Sequence, residues 1–169
     1  MPKKAEAKKV DAAGSTPATA ALLAAGVSFV PHTYAHDPSV RNFGLEAASA
    51  LDLDPDRVFK TLLVDIDGRL AVGVVPVSGS LDLGAVAAAV GGKRAAMADP
   101  LLAQRKTGYV LGGISPIGQK TRLPTVIDET AELWDTVFVS GGRRGLDIEL
   151  SPVDLITITA ATVAAIGKN

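Results

Sequence analysis

The amino-acid sequence predicts a single α+β domain built on a mixed, largely antiparallel sheet. Its 169 residues are enough for one hydrophobic core and too few for two cores of stable size. Two pairs of β-rich runs are separated by glycine turns, at Asp67-Gly68 and at residues 141–145, which is the pattern of antiparallel hairpins. The predicted helices fall irregularly between the strands, without the regular alternation of a parallel α/β sheet.

Four of the five predicted helices begin where a side chain can accept hydrogen bonds from first-turn N–H groups, and three of the five end at glycine. They span residues 15–26, 42–51, 81–90 and 99–108, and a last helix begins at Ser151-Pro152. The predicted strands are rich in β-branched residues and are bounded by turn-forming residues. They span residues 27–34, 58–66, 69–77, 109–111, 124–128, 136–140 and 146–150.

Composition narrows the possible functions. No segment approaches the length of a transmembrane helix, although hydrophobic residues make up 47% of the chain. The absence of cysteine excludes disulfides, a thiol nucleophile and cysteine-ligated metal, and is compatible with the cytoplasm. Residues 1–14 are interpreted as a disordered Lys/Ala-rich tail and not as a secretory signal, because Asp11 and Pro17 interrupt the approach to a short apolar run.

The charge distribution limits nucleic-acid binding to local surfaces. A formal net charge of −1 gives no general attraction for nucleic acid, and we expect neither DNA nor a membrane as a partner. Local basic clusters could still contact RNA, although a solvated surface is the simpler interpretation of each one alone. These clusters are Lys93-Arg94, Arg105-Lys106, Lys120 with Arg122, and Arg143-Arg144.

Lys60 is the first candidate functional residue. It lies inside the apolar, strand-like run 58–63, where burying an ammonium group is costly unless a polar or anionic group meets it. Lys60 could hold a carboxylate or phosphate, stabilise an oxyanion or form a Schiff base, the last being the weakest of the three. A strand lysine with a packed stem and a solvated head group is the alternative.

The glycine–proline loop 112–118 is the second candidate. Three glycines and one proline within seven residues restrict its backbone path, and Gly112 and Gly113 leave their N–H groups open to a ligand. The loop lacks the Walker spacing, because Gln119 follows Gly118, and this argues against nucleoside triphosphates. A structural turn is the alternative.

Two further groups of polar residues are weaker candidates. His32, Tyr34 and His36 would share one face of a strand, as an acid–base or metal cluster or as an ordinary surface. No zinc-binding spacing occurs around them.

Asp147 and Glu149 would also share one strand face, either as acid–base carboxylates or as solvated ones. Ser115 and Ser140 lie beside glycines, but neither has a nucleophile elbow or an evident histidine base.

Several stretches of the chain carry a family resemblance. They are His32-Thr33-Tyr34, Val-Phe-Lys-Thr-Leu-Leu at 58–63, Met-Ala-Asp-Pro at 97–100, Gln-Arg-Lys-Thr-Gly-Tyr at 104–109, the loop at 112–120, and Ser-Gly-Gly through Gly-Leu-Asp-Ile-Glu-Leu at 140–150. Together they closely resemble the YbaK family of bacterial aminoacyl-tRNA deacylases, specifically its Cys-tRNA(Pro) deacylase branch. The resemblance implies that residues 15–169 form one editing domain, with a barrel-like sheet surrounded by helices.

The resemblance also implies residue roles and a reaction. Lys60 would be the catalytic residue that anchors the aminoacyl end of tRNA(Pro) in a small pocket. The substrate-binding residues would be Tyr34, Gly112, Gly113, Ser115, Pro116, Ser140 and Asp147. The family clears cysteine mischarged onto proline tRNA and can act beside prolyl-tRNA synthetase, and neither a metal, a cofactor nor a covalent enzyme intermediate is implied.

Such a reaction agrees with the lack of a strong nucleophile in the chain. The cysteinyl thiol can attack its own ester and leave as a cyclic thiolactone, so that the enzyme only has to bend the substrate and stabilise charge. An Ala-tRNA(Pro) deacylase that uses water as the nucleophile is the close alternative. A non-catalytic module that binds the tRNA end or the synthetase is the alternative from another functional class.

Overall fold

The computed structural model of the protein describes residues 15–169, so the predicted tail of residues 1–14 lies outside the described part. Its helices are α1 Pro17–Ala25, α2 Phe43–Ala50, α3 Leu83–Ala89, α4 Pro100–Thr107 and α5 Pro152–Thr159, with a 3₁₀ helix at Glu129–Leu133. The strands are β1 Val30–Thr33, β2 Phe59–Ile66, β3 Arg69–Pro76, β4 Ser80–Leu81, β5 Ala95–Met97, β6 Thr125–Asp128, β7 Val137–Arg143, β8 Leu146–Leu150, β9 Thr162–Ala164 and β10 Gly167–Lys168. Among these described helices, none has the length and apolar character needed to cross a membrane.

The strands of residues 15–169 form three sheets, of which the five-stranded sheet β5-β2-β3-β6-β9 is central. β2 pairs antiparallel with β3 and β5, whereas the pairs β3–β6 and β6–β9 are parallel. A second, antiparallel sheet has the order β1-β8-β7, and β10 pairs with β4. The predicted α+β fold with a mixed, largely antiparallel sheet is confirmed. The described sheets are not closed into one barrel, since only an isolated bridge between Val58 and Phe138 joins the first two.

The predicted cap and turn residues are found at the helix and hairpin ends. Each α-helix begins after a side chain that accepts a hydrogen bond from the backbone N–H three residues later. These cap residues are Thr16, Asn42, Asp82, Asp99 and Ser151. At the β2–β3 turn, Asp67 and Gly68 have φ values of 52° and 88°, as a two-residue hairpin turn of type I′ requires.

Two predicted strands differ from the observed ones. The strand predicted at 27–34 is shortened to β1, because the N–H of Val27 donates to the carbonyl of Leu22 and so belongs to the end of α1. Residues 109–111 form no strand. The N–H of Leu111 donates to the side chain of Gln104 at 3.0 Å, so a side chain takes the donor that a strand neighbour would use.

The central sheet is buried on both faces. Alternate residues of β2 and β3, such as Leu63 and Val72, belong to a larger core cluster that includes side chains of β7, β8 and α1. Their neighbours Val64 and Ala71 belong to a second cluster, which includes side chains of α3. This packing presses the β1-β8-β7 sheet against the start of β2.

Asp128, at the end of β6, ties the C-terminal segment to the central sheet. One carboxylate oxygen accepts hydrogen bonds from the backbone N–H groups of Ile166 at 2.9 Å and Gly167 at 2.8 Å. The other accepts hydrogen bonds from the N–H and the hydroxyl of Thr130. Burial alone would raise the pKa of Asp128, but these hydrogen bonds lower it below its usual value.

We expect Asp128→Ala to lower the free energy of unfolding by about 2–4 kcal/mol, because it removes a charged acceptor and leaves the buried N–H of Ile166 without a partner. Urea unfolding at pH 7 measures this loss. Asp135→Ala, which changes an exposed carboxylate, is the matched control and should stay within about 0.5 kcal/mol of the wild type.

The same pair of variants gives a pH test. The contribution of Asp128 is present above the unfolded-state pKa of about 3.9 and is lost as the pH falls through the lower folded-state pKa. The difference between wild type and Asp128→Ala should therefore narrow in acid. Equal unfolding midpoints at pH 7 would contradict the assigned role.

Candidate active site

A cavity of about 530 Å³ opens where the start of β2, the β7–β8 hairpin and α2 meet. The fold forms it because the bridge between Val58 and Phe138 places the start of β2 beside β7. Five of the residues predicted from the sequence line this cavity. They are Tyr34, Lys60, Gly112, Ser140 and Asp147.

Lys60 reaches the cavity from β2 with a half-buried side chain. Its Nζ donates a hydrogen bond to the backbone carbonyl of Gly79 at 2.8 Å, and burial lowers the pKa of the ammonium group. Lys60 forms no ion pair with a carboxylate of residues 15–169. An ammonium group with one carbonyl partner keeps two N–H donors for a carbonyl or anionic ligand.

Asp147 reaches the cavity from β8, and only 5% of its surface is exposed. Burial raises the pKa of its carboxyl group to about 7. Asp147 lies directly across from Ser140 in the β7–β8 ladder, and its carboxylate accepts no hydrogen bond from the described part of the chain. Asp147 therefore changes charge near neutral pH, and it accepts no hydrogen bond that would give it a structural role.

Ser140 and Tyr34 supply hydroxyl groups to the same cavity. Ser140 precedes a bulge in β7, and its Oγ accepts a hydrogen bond from the N–H of Gly142 at 3.2 Å. Tyr34 follows β1 and is held by its own N–H, which donates to the carbonyl of Gly145 at 3.0 Å. Burial, followed by the charge of Asp147, raises the pKa of Tyr34 to about 12, so its hydroxyl remains a donor at neutral pH.

The glycine–proline loop enters the cavity only in part. Gly112 lines it, whereas the N–H of Gly113 donates to the carbonyl of Val110 at 2.9 Å and is used to close a turn. A Cβ added to Gly113 would lie 2.7 Å from the backbone of Arg143, so this glycine serves the close approach of two chain segments. The structure does not bring Gly113 to the cavity surface.

Ser115 and Pro116 also lie away from the cavity. Ser115 is completely buried, and its Oγ accepts a hydrogen bond from the N–H of Ile117. Pro116 lines a separate concavity on another part of the surface. Both residues support the shape of the loop, and substrate contact by Gly113, Ser115 and Pro116 stays a prediction.

The start of α2 contributes cavity residues that the sequence pattern did not indicate. Arg41, Asn42, Phe43 and Gly44 all line the cavity. A Cβ on Gly44 would clash with the side chain of Val77, so glycine is what lets α2 approach the end of β3. A glycine in the first turn of a helix costs about 1 kcal/mol relative to alanine. Nothing in the local sequence explains this cost, so it was the one sequence signal that could have pointed to Gly44.

Phe43 is held from two sides. A Cβ on Gly112 would come within 2.8 Å of its ring, and the guanidinium of Arg144 lies 4.9 Å from the ring centroid. The ring therefore forms a fixed wall between α2 and the glycine loop.

The two histidines and Glu149 are engaged outside the cavity. Nε2 of His32 lies 2.9 Å from Oε1 of Glu149, and the other carboxylate oxygen of Glu149, Oε2, pairs with Arg57 at 3.1 Å. Nδ1 of His36 lies 2.7 Å from Oε1 of Glu46. These contacts separate Glu149 from Asp147, so the two carboxylates do not act as a pair.

The cavity is therefore lined by one lysine, one arginine, one buried aspartate, side chains with hydroxyl groups and backbone groups. No histidine lines it, and the described residues include no cluster of three His, Asp or Glu side chains that could hold a metal ion. This donor set can bind and polarise an ester carbonyl, but it contains no serine activated by histidine.

Comparison with known proteins shows the family. The family model of the aminoacyl-tRNA editing domain matches residues 37–158. The "Putative Cys-tRNA(Pro)/Cys-tRNA(Cys) deacylase EbsC" of Enterococcus faecalis is 37% identical over 121 residues, which are 70% of this chain and 73% of that protein.

Solved structures show the same fold over most of the chain. The "putative trans-editing enzyme for prolyl tRNA synthetase" has a TM-score of 0.79 at 26% identity, covering 92% of this chain and 99% of that one. The hypothetical protein APE2540 has a TM-score of 0.80 at 24% identity, covering 90% and 100% of the two chains. The sequence match over more than two thirds of the chain, supported by this shared fold, shows that the protein belongs to the aminoacyl-tRNA editing domain family, the YbaK family.

Proposed function

We propose that this protein is a trans-editing deacylase that removes cysteine from mischarged Cys-tRNA(Pro). Family membership supports an aminoacyl-tRNA substrate, and the names of the Enterococcus relative and of the trans-editing structure support cysteine and the proline system. The observation that carries the proposal is the donor set of the cavity, in which Lys60 and Asp147 lie without a histidine-activated nucleophile. The whole chain also lacks cysteine. A nucleophile must then come from the substrate or from water.

Lys60 would bind and polarise the ester. Its two remaining N–H donors can contact the ester carbonyl or the adjacent ribose, and its charge stabilises an oxyanion as it forms. The N–H of Gly112, which also lines the cavity, donates no hydrogen bond to another residue of the range 15–169, so it would be the second donor to the ester.

The thiol of the substrate would supply the nucleophile. It loses its proton, the sulfur attacks the ester carbonyl carbon, and the bond from that carbon to the ribose oxygen breaks. A four-membered thiolactone leaves, and the proton passes to the ribose oxygen, with Asp147 as the group that can carry it. No water is consumed in this step, and the thiolactone hydrolyses afterwards to free cysteine. Alanine and proline esters have no internal thiol and would be spared.

A hydrolytic Ala-tRNA(Pro) deacylase is the second candidate, and Asp147 is the observation that favours it. A carboxyl group with a pKa of about 7 can act as a general base toward water at neutral pH. In that mechanism the size of the amino acid, and not its chemistry, would set the selectivity.

The proposed partners are the aminoacylated acceptor end of tRNA(Pro) and prolyl-tRNA synthetase, which the protein would meet in the cytoplasm. The name of the trans-editing structure supports the link to the synthetase. The sulfur chemistry proposed above would give the release of a thiolactone, a lyase-like step, in place of direct hydrolysis.

A panel of Cys-, Ser-, Ala- and Pro-tRNA(Pro) separates these functions. We expect loss of cysteine alone, with serine removed much more slowly because its hydroxyl is the poorer nucleophile at nearly the same size. Mass spectrometry should detect the thiolactone before free cysteine. Removal of alanine would support the hydrolytic enzyme, and tight binding without turnover would support a non-catalytic module.

Lys60→Ala should lower kcat/KM for Cys-tRNA(Pro) by about 10²–10³-fold, the range found when one oxyanion donor is removed. Lys93→Ala removes an exposed lysine outside the cavity and should leave the rate unchanged. Urea unfolding of both variants checks that each is folded. Wild-type turnover by folded Lys60→Ala would rule out the proposed role.

Asp147→Asn should give a more stable but slower enzyme. The folded-state pKa of about 7 lies above the unfolded-state value of about 3.9, so the wild type loses stability between about pH 4 and pH 7, where the carboxyl is ionised in the unfolded state but still protonated in the folded state. Asparagine does not ionise, and we expect a gain on the order of 2–4 kcal/mol at pH 8 that shrinks toward pH 4. Urea unfolding at both pH values measures the gain, and an identical pH dependence of the two proteins would contradict it.

A further inference from the structure

We propose that an open concavity beside the candidate active site binds the phosphate backbone of the RNA strand that carries the aminoacyl ester. The proposal rests on the proposed function, because it requires the 3′-terminal nucleotide of that strand to occupy the cavity at Lys60. The concavity has a volume of about 600 Å³ and is lined by residues of α4, by Val110 and by Lys120. It is distinct from the cavity that contains Lys60.

Two of the basic clusters noted in the sequence meet at this concavity. The N–H of Lys120 donates to the carbonyl of Thr107 at 2.9 Å, and the N–H of Thr121 donates to the carbonyl of Lys106 at 2.9 Å. These hydrogen bonds hold residues 120–121 against the last turn of α4. Clusters that are about 14 residues apart in the sequence thereby become one basic surface.

The charges of this surface are not neutralised by neighbouring side chains. Arg105, Lys106 and Lys120 are exposed, and none of them forms an ion pair with a residue in the described range 15–169. Asp99 also lines the concavity, but its carboxylate accepts the N–H of Leu102 as the cap of α4. A surface that keeps three exposed cations on a chain of net charge −1 is suited to a polyanion.

A short rim connects the concavity to the active-site cavity. Val110 lines the concavity, whereas Leu111 and Gly112 line the cavity. The N–H of Leu111 donates to the side chain of Gln104 at 3.0 Å, and its carbonyl accepts a hydrogen bond from Nε of Arg144 at 2.8 Å. An RNA strand that leaves the cavity over this anchored rim would reach the basic surface directly.

The surface fits a single-stranded RNA end better than a protein partner. Leu101 and Val110 are 67% and 53% exposed in the concavity, which gives an unpaired base an apolar surface beside the cations. The continuity with the cavity also fixes the direction from which the chain of phosphates would arrive. Arg105 and Lys106 lie in the last turn of α4 and favour its dipole, so the test has to separate that structural role from RNA binding.

The Lys93-Arg94 cluster offers a matched control. The backbone N–H groups of both residues donate to the carboxylate of Asp67 at the β2–β3 turn, at 2.8 and 3.0 Å. Both residues are exposed, and neither lines the cavity or the concavity. Removing their two charges changes the net charge by the same amount without changing the proposed RNA path.

The test compares the full-length double variants Arg105→Gln/Lys120→Gln and Lys93→Gln/Arg94→Gln with the wild type. Binding of uncharged tRNA(Pro) is measured by fluorescence anisotropy over a range of salt concentrations. Deacylation is measured with Cys-tRNA(Pro) and with a cysteinyl ester of adenosine, which is too short to reach the concavity.

We expect Arg105→Gln/Lys120→Gln to reduce the slope of log Kd against log salt by about 1.4, or roughly 0.7 for each single-strand phosphate contact. At about 0.15 M salt, KM for Cys-tRNA(Pro) should rise roughly tenfold, while kcat and the rate on the adenosine ester stay unchanged. Lys93→Gln/Arg94→Gln should behave like the wild type in every measurement.

Three outcomes would overturn the proposal. Equal losses in both double variants would assign the effect to net charge. A lower unfolding midpoint without a change in RNA affinity would assign the cluster to the stability of α4. An unchanged salt slope would leave the concavity to a protein partner or to solvent. If the wild type cleaves neither ester, the proposed function fails, and the salt slope for uncharged tRNA still decides this inference.

Discussion

The site depends on a half-buried ammonium group and a buried carboxyl group that line one cavity and do not neutralise each other. Within residues 15–169, the ammonium of Lys60 donates a hydrogen bond only to the carbonyl of Gly79, and the carboxyl of Asp147 accepts no hydrogen bond. Burial opposes the charged form of both groups, which lowers one pKa and raises the other. A core built for stability alone would pair these charges or replace them by apolar side chains. The free-energy cost of burying both groups without pairing them indicates that this surface binds a ligand.

The walls of the cavity are held by close contacts that leave little freedom to rearrange. Gly44 lets α2 press on Val77, and Phe43 is held between Gly112 and the guanidinium of Arg144. Donors that are fixed before a ligand arrives need no reorganisation when charge develops on it, which is how a site without its own nucleophile can still accelerate a reaction. In the proposed reaction, the fold would contribute positioning and the substrate would contribute the reactive group.

The sequence was sufficient where the determining interactions are local. The turn at Asp67-Gly68 depends only on the backbone angles of these two residues. Lys60 was recognisable because burying a charge inside an apolar strand is costly whatever surrounds it. Tertiary contacts determine which of the other residues reach the cavity. Ser115 and Pro116 share a short motif with Gly112 and Ile114, which line the cavity, but neither Ser115 nor Pro116 lines it. Phe43 can line the cavity because Gly112, which is distant in sequence, leaves room for its ring, and no local sequence pattern shows such a contact. The family resemblance identified Tyr34 and Asp147 as one set, which their spacing alone could not do.

The hydrogen bond from Lys60 to the carbonyl of Gly79 has a consequence for discrimination between ground state and transition state. If a neutral ester oxygen takes the place of that carbonyl, Lys60 exchanges one ordinary hydrogen-bond acceptor for another. The net gain in free energy is then small. An oxygen that acquires negative charge forms a shorter hydrogen bond that is roughly twice as strong. In the proposed reaction, the exchange of acceptors would therefore stabilise the charged intermediate more than the neutral ester, and Lys60 would affect the rate of the chemical step more than the affinity for substrate.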